Sequence, residues 1–391
     1  MRIALFTDTY VPEINGVAMS CKSLHDILVA HGHQVLVVTS NPFGDDFMMD
    51  NDVYRLPGAE LKKVYGYRMA NIFNRNAINV LRKFEPDLIH IQTEYSVGII
   101  GLMAVQLLKI PMVYTYHTMI EDYTYYLTHG HFDRLAKFFI RRYFKMYAQL
   151  ADGFITPSSK TKDYMRNIGY DKYCNVVPTG IDFSRFNPGN ISPNIKPELR
   201  HKFNIDDDTF TVLSLGRIAA EKSIDFSMKC YAKFIENHPD IKTKMVIVGK
   251  GPAEDELKQL AKDLNIADKV IFAGPCDPKE VQNYYTLGDA FVSASLSETQ
   301  GLTYMEAMAS RLYVMARYDH NLLDVVKDGV TGYFFENEEE FSNKLYLAYQ
   351  SFKNYDTKML DDAINGIEQY SIETFYNSIM KTYKHVLKIN W

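Results

Sequence analysis

Two carboxylates eight positions apart, Glu298 and Glu306, have the spacing in this 391-residue chain that most invites a chemical reading. Between them runs Thr299-Gln300-Gly301-Leu302, with Gly301 where a loop should turn into a helix. Upstream, Asp289-Ala290-Phe291-Val292-Ser293-Ala294 reads as a buried strand. Downstream, Leu302, Met305, Ala309 and Leu312 recur at helical spacing. A glycine lets backbone come close to a ligand, and the N–H groups of Thr299, Gln300, Gly301 and Leu302 would point outward at the helix start, which makes an anion site. Glu298 would stand at the loop mouth. Glu306 would lie about one turn into the helix, where a carboxylate can accept two hydrogen bonds from a vicinal diol such as a ribose. A nucleotide carries both phosphates and hydroxyls. Two glutamates on a helix are otherwise an ordinary solvated face, so the strand–loop–helix context gives the pair its meaning.

A second constellation follows the apolar run Thr211-Val212-Leu213-Ser214-Leu215. There Gly216-Arg217 and Glu221-Lys222 place two cations on a loop at a strand's carboxyl end. As a solvated pair of charges they would mean nothing. As ligands, Arg217 clamps a diphosphate bidentately and Lys222 acts as a point charge, in place of a metal ion. Two further strand-plus-glycine turns, Val248-Gly249-Lys250-Gly251-Pro252 and Val270 to Gly274, come next. The second, with Gly274 and Cys276, offers groups to a base. Nearer the start, Gly16 precedes a helix expected over 18–30 and again permits close backbone approach. His117 directly follows the strand Met112-Val113-Tyr114-Thr115, and ligands of open α/β sheets bind at strand carboxyl ends. His129-Gly130-His131 shows no third ligand, so no metal site is expected.

These residues need a frame, and the frame is legible. Short apolar strands at Ile3–Phe6, Val35–Val38, Asp87–Ile91 and Met112–Thr115 alternate with helical stretches, and the pattern restarts at Thr211. Such alternation predicts doubly wound parallel sheets, and the length predicts two domains. No G-x-G-x-x-G follows the first strand, which argues against a dinucleotide dehydrogenase. The expected division is 1–187, a Pro- and Asn-rich linker at 188–200, 201–370, and a last helix at 371–391.

Composition bounds the partners. The chain is 47% hydrophobic and 23% charged, an ordinary globular balance. Cys21, Cys174, Cys230 and Cys276 are scattered without a C-x-x-C pair, which predicts neither zinc nor disulfides and a reducing compartment. No signal peptide is read at the N-terminus, and the longest apolar candidate, 97–105, falls short of the roughly 20 residues a spanning helix needs. The net charge of −5 hides an asymmetry: residues 60–170 hold 15 Lys+Arg against 9 Asp+Glu. A helix read over 68–84 gathers Arg68, Arg75, Arg82 and Lys83 on one side and Met69, Phe73, Ala77, Val80 and Phe84 on the other. A second, over 132–147, puts Arg134, Lys137, Arg141 and Lys145 on one face with Phe138 among them. Either alone is most simply a surface helix packing on its own core. Two in one basic half favour an anionic membrane surface, where each basic residue is worth about 1 kcal/mol. No nucleic-acid partner is expected.

Taken in order, Asn15-Gly16-Val17, His117, Pro178 to Asp182, Gly216-Arg217 with Glu221-Lys222, Val248 to Pro252, Phe272-Ala273-Gly274 and Glu298 to Glu306 resemble the motifs of retaining nucleotide-sugar glycosyltransferases of the GT-B fold, of the family 4 type. The resemblance implies two Rossmann-like domains facing a cleft, a donor held mainly by the second, and a last helix crossing back onto the first. It implies Glu306 on the ribose, Arg217 and Lys222 on the diphosphate, amides near Gly16 and Gly301 on phosphate oxygens, and Glu298 and His117 on the transferred sugar. No metal cofactor and no protein nucleophile is implied. Arg311 and Tyr313 depart from the Gly and Pro frequent in the family, and Tyr318-Asp319-His320-Asn321 replaces its Gly-rich loop. A narrower resemblance, at Tyr114 to Tyr123 and Gly130-His131-Phe132-Asp133, is to bacterial diacylglycerol glucosyltransferases, which use UDP-glucose. It implies a lipid acceptor and a peripheral position at the cytoplasmic, inner face of the cell membrane. A transferase with a soluble sugar or glycan acceptor and a nucleotide-sugar epimerase are the alternatives.

Overall fold

Runs such as Leu88–Ile91 and Met112–Thr115 are buried at every residue, without polar alternation. That is the pattern of parallel strands covered on both faces by helices. In a computed structural model, which describes residues 1–13, 15–60, 68–117, 133–295, 298 and 300–389, they lie inside two sheets. The chain divides into two units, Met1–Gly180 with Ile372–Trp391, and Ile181–Ser371.

In the first unit the strands are β1 (Arg2–Phe6), β2 (Gln34–Ser40), β3 (Met48–Asp50), β4 (Val53–Leu56), β5 (Gly58–Glu60), β6 (Arg68–Ala70), β7 (Leu88–Ile91), β8 (Met112–Thr115), β9 (Gly153–Thr156) and β10 (Asn175–Val176). Among the described residues the main sheet runs β10-β9-β8-β7-β1-β2-β4-β3, with β5 and β6 as a separate antiparallel pair. β1 pairs in parallel with both β2 and β7, Ile3 lying opposite Val35 and Leu88. The order turns around at β1: strands β2 to β4 go one way and β7 to β10 the other. The last helix, Ile372–Leu387, belongs to this unit. Its Phe375, Ile379, Met380 and Tyr383 share a core with Ile3, Leu5, Val113 and Ile155.

In the second unit the strands are β11 (Phe210–Leu215), β12 (Thr243–Val248), β13 (Val270–Gly274), β14 (Ala290–Ser293), β15 (Tyr313–Arg317) and β16 (Tyr333–Phe335). Their order is β13-β12-β11-β14-β15-β16, all parallel. The turnaround falls between β11 and β14. The expectation of doubly wound parallel sheets holds in both units.

Two expectations are corrected. The helix read over 68–84 begins only at Arg75 and runs to Phe84. Asn74 caps it, its side chain accepting from the Ala77 amide at 3.1 Å, as asparagine does at a helix start. Arg68 instead lies in β6, opposite Glu60, and its guanidinium bonds the Gly58 carbonyl at 2.6 Å and pairs with Asp45. So Arg68 leaves the proposed basic face, while Arg75, Arg82 and Lys83 are exposed on the helix and Ala77 and Leu81 are buried beneath them. The linker is likewise not at 188–200. The units part at Gly180/Ile181, where the Ile181 amide already bonds the Tyr370 carbonyl at 3.0 Å. The Pro/Asn-rich stretch folds as a 3₁₀ turn closed by Asn187 on the Gly189 amide, then as the helix Ile195–Lys202. Arg200 in that helix is buried and donates to the Asp206 and Thr209 carbonyls at 2.6 and 2.8 Å.

Candidate active site

An open parallel sheet has a crevice where adjacent strands send their connections to opposite faces, and ligands bind there, beyond the strands' carboxyl ends. In the second unit that point lies between β11 and β14. The loop after β11 carries Arg217 and Lys222; the loop after β14 carries Glu298. The two loops meet: Lys222 Nζ lies 2.8 Å from Glu298 Oε1, both side chains half-buried or deeper. Arg217 is exposed, with a long ion pair of 3.9 Å to Glu221.

Backbone hydrogen bonds also hold the loop after β11. The Gly216 amide donates to the Val248 carbonyl at 3.0 Å, Ile218 to Lys250 at 3.2 Å, and Gly249 to the Gly274 carbonyl at 2.9 Å. The ends of β11, β12 and β13 are thereby zipped side by side. A side chain would wedge them apart: a Cβ on Gly249 would stand 1.9 Å from the Gly216 carbonyl oxygen, and one on Gly251 2.0 Å from that of Ile218. At Gly16 a Cβ would meet nothing within 4 Å. Gly249→Ala should therefore destabilise the protein by about 1–3 kcal/mol or more, while Gly16→Ala should stay within about 0.5 kcal/mol. Urea denaturation midpoints check this; equal midpoints for the two variants would contradict the packing argument.

Gly301 adopts a left-handed conformation, φ 71°, and begins the helix Leu302–Ala309, which has no side-chain cap. Glu306 sits one turn in and is half-buried. The Tyr285 hydroxyl donates to its Oε2 at 2.7 Å. Burial pushes the Glu306 carboxyl up to about 7, against the pull of the Tyr285 hydrogen bond and the Arg185 charge. Cys276 is half-buried nearby, its thiol raised by burial and by the charges of Asp277 and Glu306. Gln300 is described; Thr299 lies outside the described residues.

In the first unit the corresponding turnaround lies between β1 and β7. Asp8, beyond β1, accepts from the Thr93 and Ser96 hydroxyls at 2.6 Å and from the Val97 amide at 2.8 Å, tying the loop after β1 to that after β7. Gly16 opens the helix Gly16–Ala30, capped by Asn15, whose side chain accepts from the Ala18 amide at 2.9 Å. His117, at the end of β8, lies 2.6 Å from Gln92 Oε1, and burial pushes its imidazole down to about 4. Glu94 is fully buried beside the Tyr114 hydroxyl, and burial pushes its carboxyl up to about 8. Of the second basic face, Arg141 and Phe138 are exposed and Lys145 is half-buried on the helix Asp133–Leu150; the side chains of Arg134 and Lys137 lie outside the described residues, as do residues 118–132. Among the described residues no helix is long and apolar enough to cross a membrane.

The sequence did not point to Tyr285, Gln92, His90 or Arg185. Nothing in their spacing marks them: His90 and Gln92 come from β7 and its end, and Tyr285 and Arg185 from elements distant in sequence from the residues they meet.

Two parallel α/β units, each with polar residues at its turnaround, define the GT-B class. HepE from Anabaena, solved in complex with UDP, superposes with a TM-score of 0.74 at 17% identity, over 98% of this chain and all of that one. Sucrose-phosphate synthase from Thermosynechococcus elongatus does so with 0.76 at 19%, over the whole of both chains. Residues 14–185 match the family model for glycosyltransferase family 4 and residues 195–359 that for glycosyl transferases group 1. The alpha-monoglucosyldiacylglycerol synthase of Streptococcus pneumoniae is 34% identical over 98% of this chain and 85% of its own. That of Acholeplasma laidlawii is 33% identical over 90% and 89%. The chain belongs to the family 4 glycosyltransferases and is an enzyme of that family.

Proposed function

We propose that this enzyme moves glucose from UDP-glucose to diacylglycerol with retention at the anomeric carbon, without a catalytic metal ion, at the cytoplasmic face of a membrane. The observation that carries the reading is the near full-length likeness to two synthases of monoglucosyldiacylglycerol. In this reading Arg217, Lys222 and the amides at Gly301 and Leu302 hold the diphosphate, with Thr299, Gln300 and the Gly16 amide assigned to the same role. Glu306 holds the ribose, and Gly274 and Cys276 border the base. Glu298 and His117 contact the sugar. Fixed donors and cations stabilise the leaving diphosphate as its charge develops, which is where such groups contribute most. A phosphate oxygen takes the acceptor hydroxyl's proton on the face the acceptor attacks, so no protein nucleophile is needed. Mass spectrometry of the products formed from diacylglycerol vesicles and a panel of sugar nucleotides tests this. Glucosyl-diacylglycerol should form, and formed only with a soluble sugar acceptor, the glycoside would contradict it.

The ribose assignment makes its own prediction. Ribose hydroxyls donate to a carboxylate, so binding favours ionised Glu306. With the carboxyl at about 7 in the free protein, binding at neutral pH should release part of a proton. Affinity should be highest above pH 7 and fall toward about tenfold per unit below it. Uridine is the probe, because it has no phosphate to titrate. Calorimetry in buffers of different ionisation enthalpy reads the released proton, and Glu306→Gln should abolish the effect. Uridine binding without proton release would remove Glu306 from the ribose.

A further inference from the structure

His117 is the end of a buried hydrogen-bond chain. Its Nε2 lies 2.6 Å from Gln92 Oε1. The amide nitrogen of Gln92 lies 3.0 Å from His90 Nε2, which the Thr115 hydroxyl also approaches at 2.7 Å. On its other side, His90 Nδ1 is 2.7 Å from the Tyr383 hydroxyl, in the last helix. Gln92, His90, Thr115 and Tyr383 are all buried. Three elements of the first unit, β7, β8 and the last helix, thus contribute to one hydrogen-bond chain that ends on His117.

The protons in such a chain can be assigned from its hydrogen bonding. An amide oxygen only accepts, so His117 Nε2 carries a proton. An amide nitrogen only donates, so His90 Nε2 is a lone pair. His90 is neutral, because burial and the neighbouring His117 push it down to about 3. Its one proton is therefore on Nδ1 and goes to the Tyr383 oxygen. His117 is neutral too, its one proton committed to Gln92. Its Nδ1 is left as a lone pair, with no hydrogen-bond partner among the described residues. The opposite tautomer would require the Gln92 amide to turn over and every proton in the chain to reverse.

We propose that Gln92 and His90, backed by Tyr383, are positioning residues that lock His117 as the Nε2–H tautomer, so that Nδ1 presents a hydrogen-bond acceptor to a hydroxyl of the transferred sugar. The last clause rests on the assignment of His117 to the sugar made above. A locked acceptor discriminates: it favours a hydroxyl that can donate and disfavours a sugar that offers only an acceptor there.

Nitrogen-15 NMR of the full-length protein tests the lock directly, with His117→Gln assigning the signal. Nε2 protonated and Nδ1 bare is the expected state; an Nδ1–H tautomer in the parent protein overturns the proposal. Gln92→Met should release His117 into a mixture of tautomers. It should lower kcat about 10- to 100-fold with the donor KM little changed, the scale of a slightly misplaced group. Should Gln92→Met fail to fold, Tyr383→Phe and the parent spectrum still decide. An unchanged tautomer and unchanged kcat in the folded variants also overturn the proposal. Full turnover in His117→Ala would discard the sugar contact alone and leave the spectroscopic result standing.

Discussion

Lys222→Ala is expected to lower kcat by about 10²–10³-fold, with Arg217→Ala close behind, because in the proposed mechanism each removes a cation that stabilises the charge the leaving diphosphate develops. Lys222 has the larger claim. It projects from the loop after β11 into the crevice and is held 2.8 Å from Glu298. That carboxylate neutralises it in the unliganded protein, and a diphosphate would compete for the same ammonium. Removing the lysine would therefore do two things: delete the proposed phosphate ligand and leave Glu298 without its partner. Lys222→Ala with Glu298→Gln, read against Glu298→Gln alone because Glu298 is itself assigned to the sugar, separates them. If repulsion by the orphaned carboxylate caused the loss, the double variant would recover much of it; if the phosphate contact did, the double variant would be no better than the single one. EDTA should change little in the parent enzyme. Full turnover in Lys222→Ala, or strict dependence on magnesium or manganese in the chemical step, would contradict the mechanism.

The second large effect is expected at the membrane. Reversing Arg75, Arg82, Arg141 and Lys145 to glutamate should weaken binding to anionic vesicles about 10³-fold or more. Four basic residues at about 1 kcal/mol each amount to roughly 4 kcal/mol before added repulsion is counted. Arg75, Arg82 and Arg141 are exposed and Lys145 is half-buried, on two helices whose buried residues belong to the core of the first unit. Phe138, exposed on the same helix as Arg141 and Lys145, would insert once charge has brought the surface down. Binding by the parent should weaken as salt rises, since screening limits the reach of surface charge to about 8 Å near physiological ionic strength. Nucleotide binding should be untouched by the reversal. Vesicle flotation reads the outcome: equal flotation of parent and reversed protein, or indifference to anionic lipid, removes the basic face.

The parallel strands were readable because burial on both faces leaves unbroken apolar runs, and Met112–Thr115 has the same bounds in sequence and structure. The crevice residues of the second unit were readable because Gly216, Gly249 and Gly301 mark the places where backbone must come close or turn left-handed. The helix over 68–84 was misread because period alone counted: Arg68 fits the wheel, yet Asn74 is a helix cap and Arg68 pairs across a hairpin. The Pro/Asn-rich stretch looked like a linker by composition, while the actual division at Gly180 carries no compositional mark. Tyr285 under Glu306, and the line from Tyr383 to His117, were illegible for a different reason. Tyr285 and Glu306 lie 21 positions apart and His90 and Tyr383 lie 293 apart, and only the folded chain brings them together.

Retaining transfer of glucose from UDP-glucose to diacylglycerol is tested most directly by the anomeric configuration of the product. Donor labelled with carbon-13 at the anomeric carbon, incubated with the enzyme and diacylglycerol in anionic vesicles, should yield a lipid-soluble glucoside. Its anomeric NMR signal should be that of the α linkage. A β-linked lipid, or label recovered only in free glucose or in an altered sugar nucleotide, would contradict it.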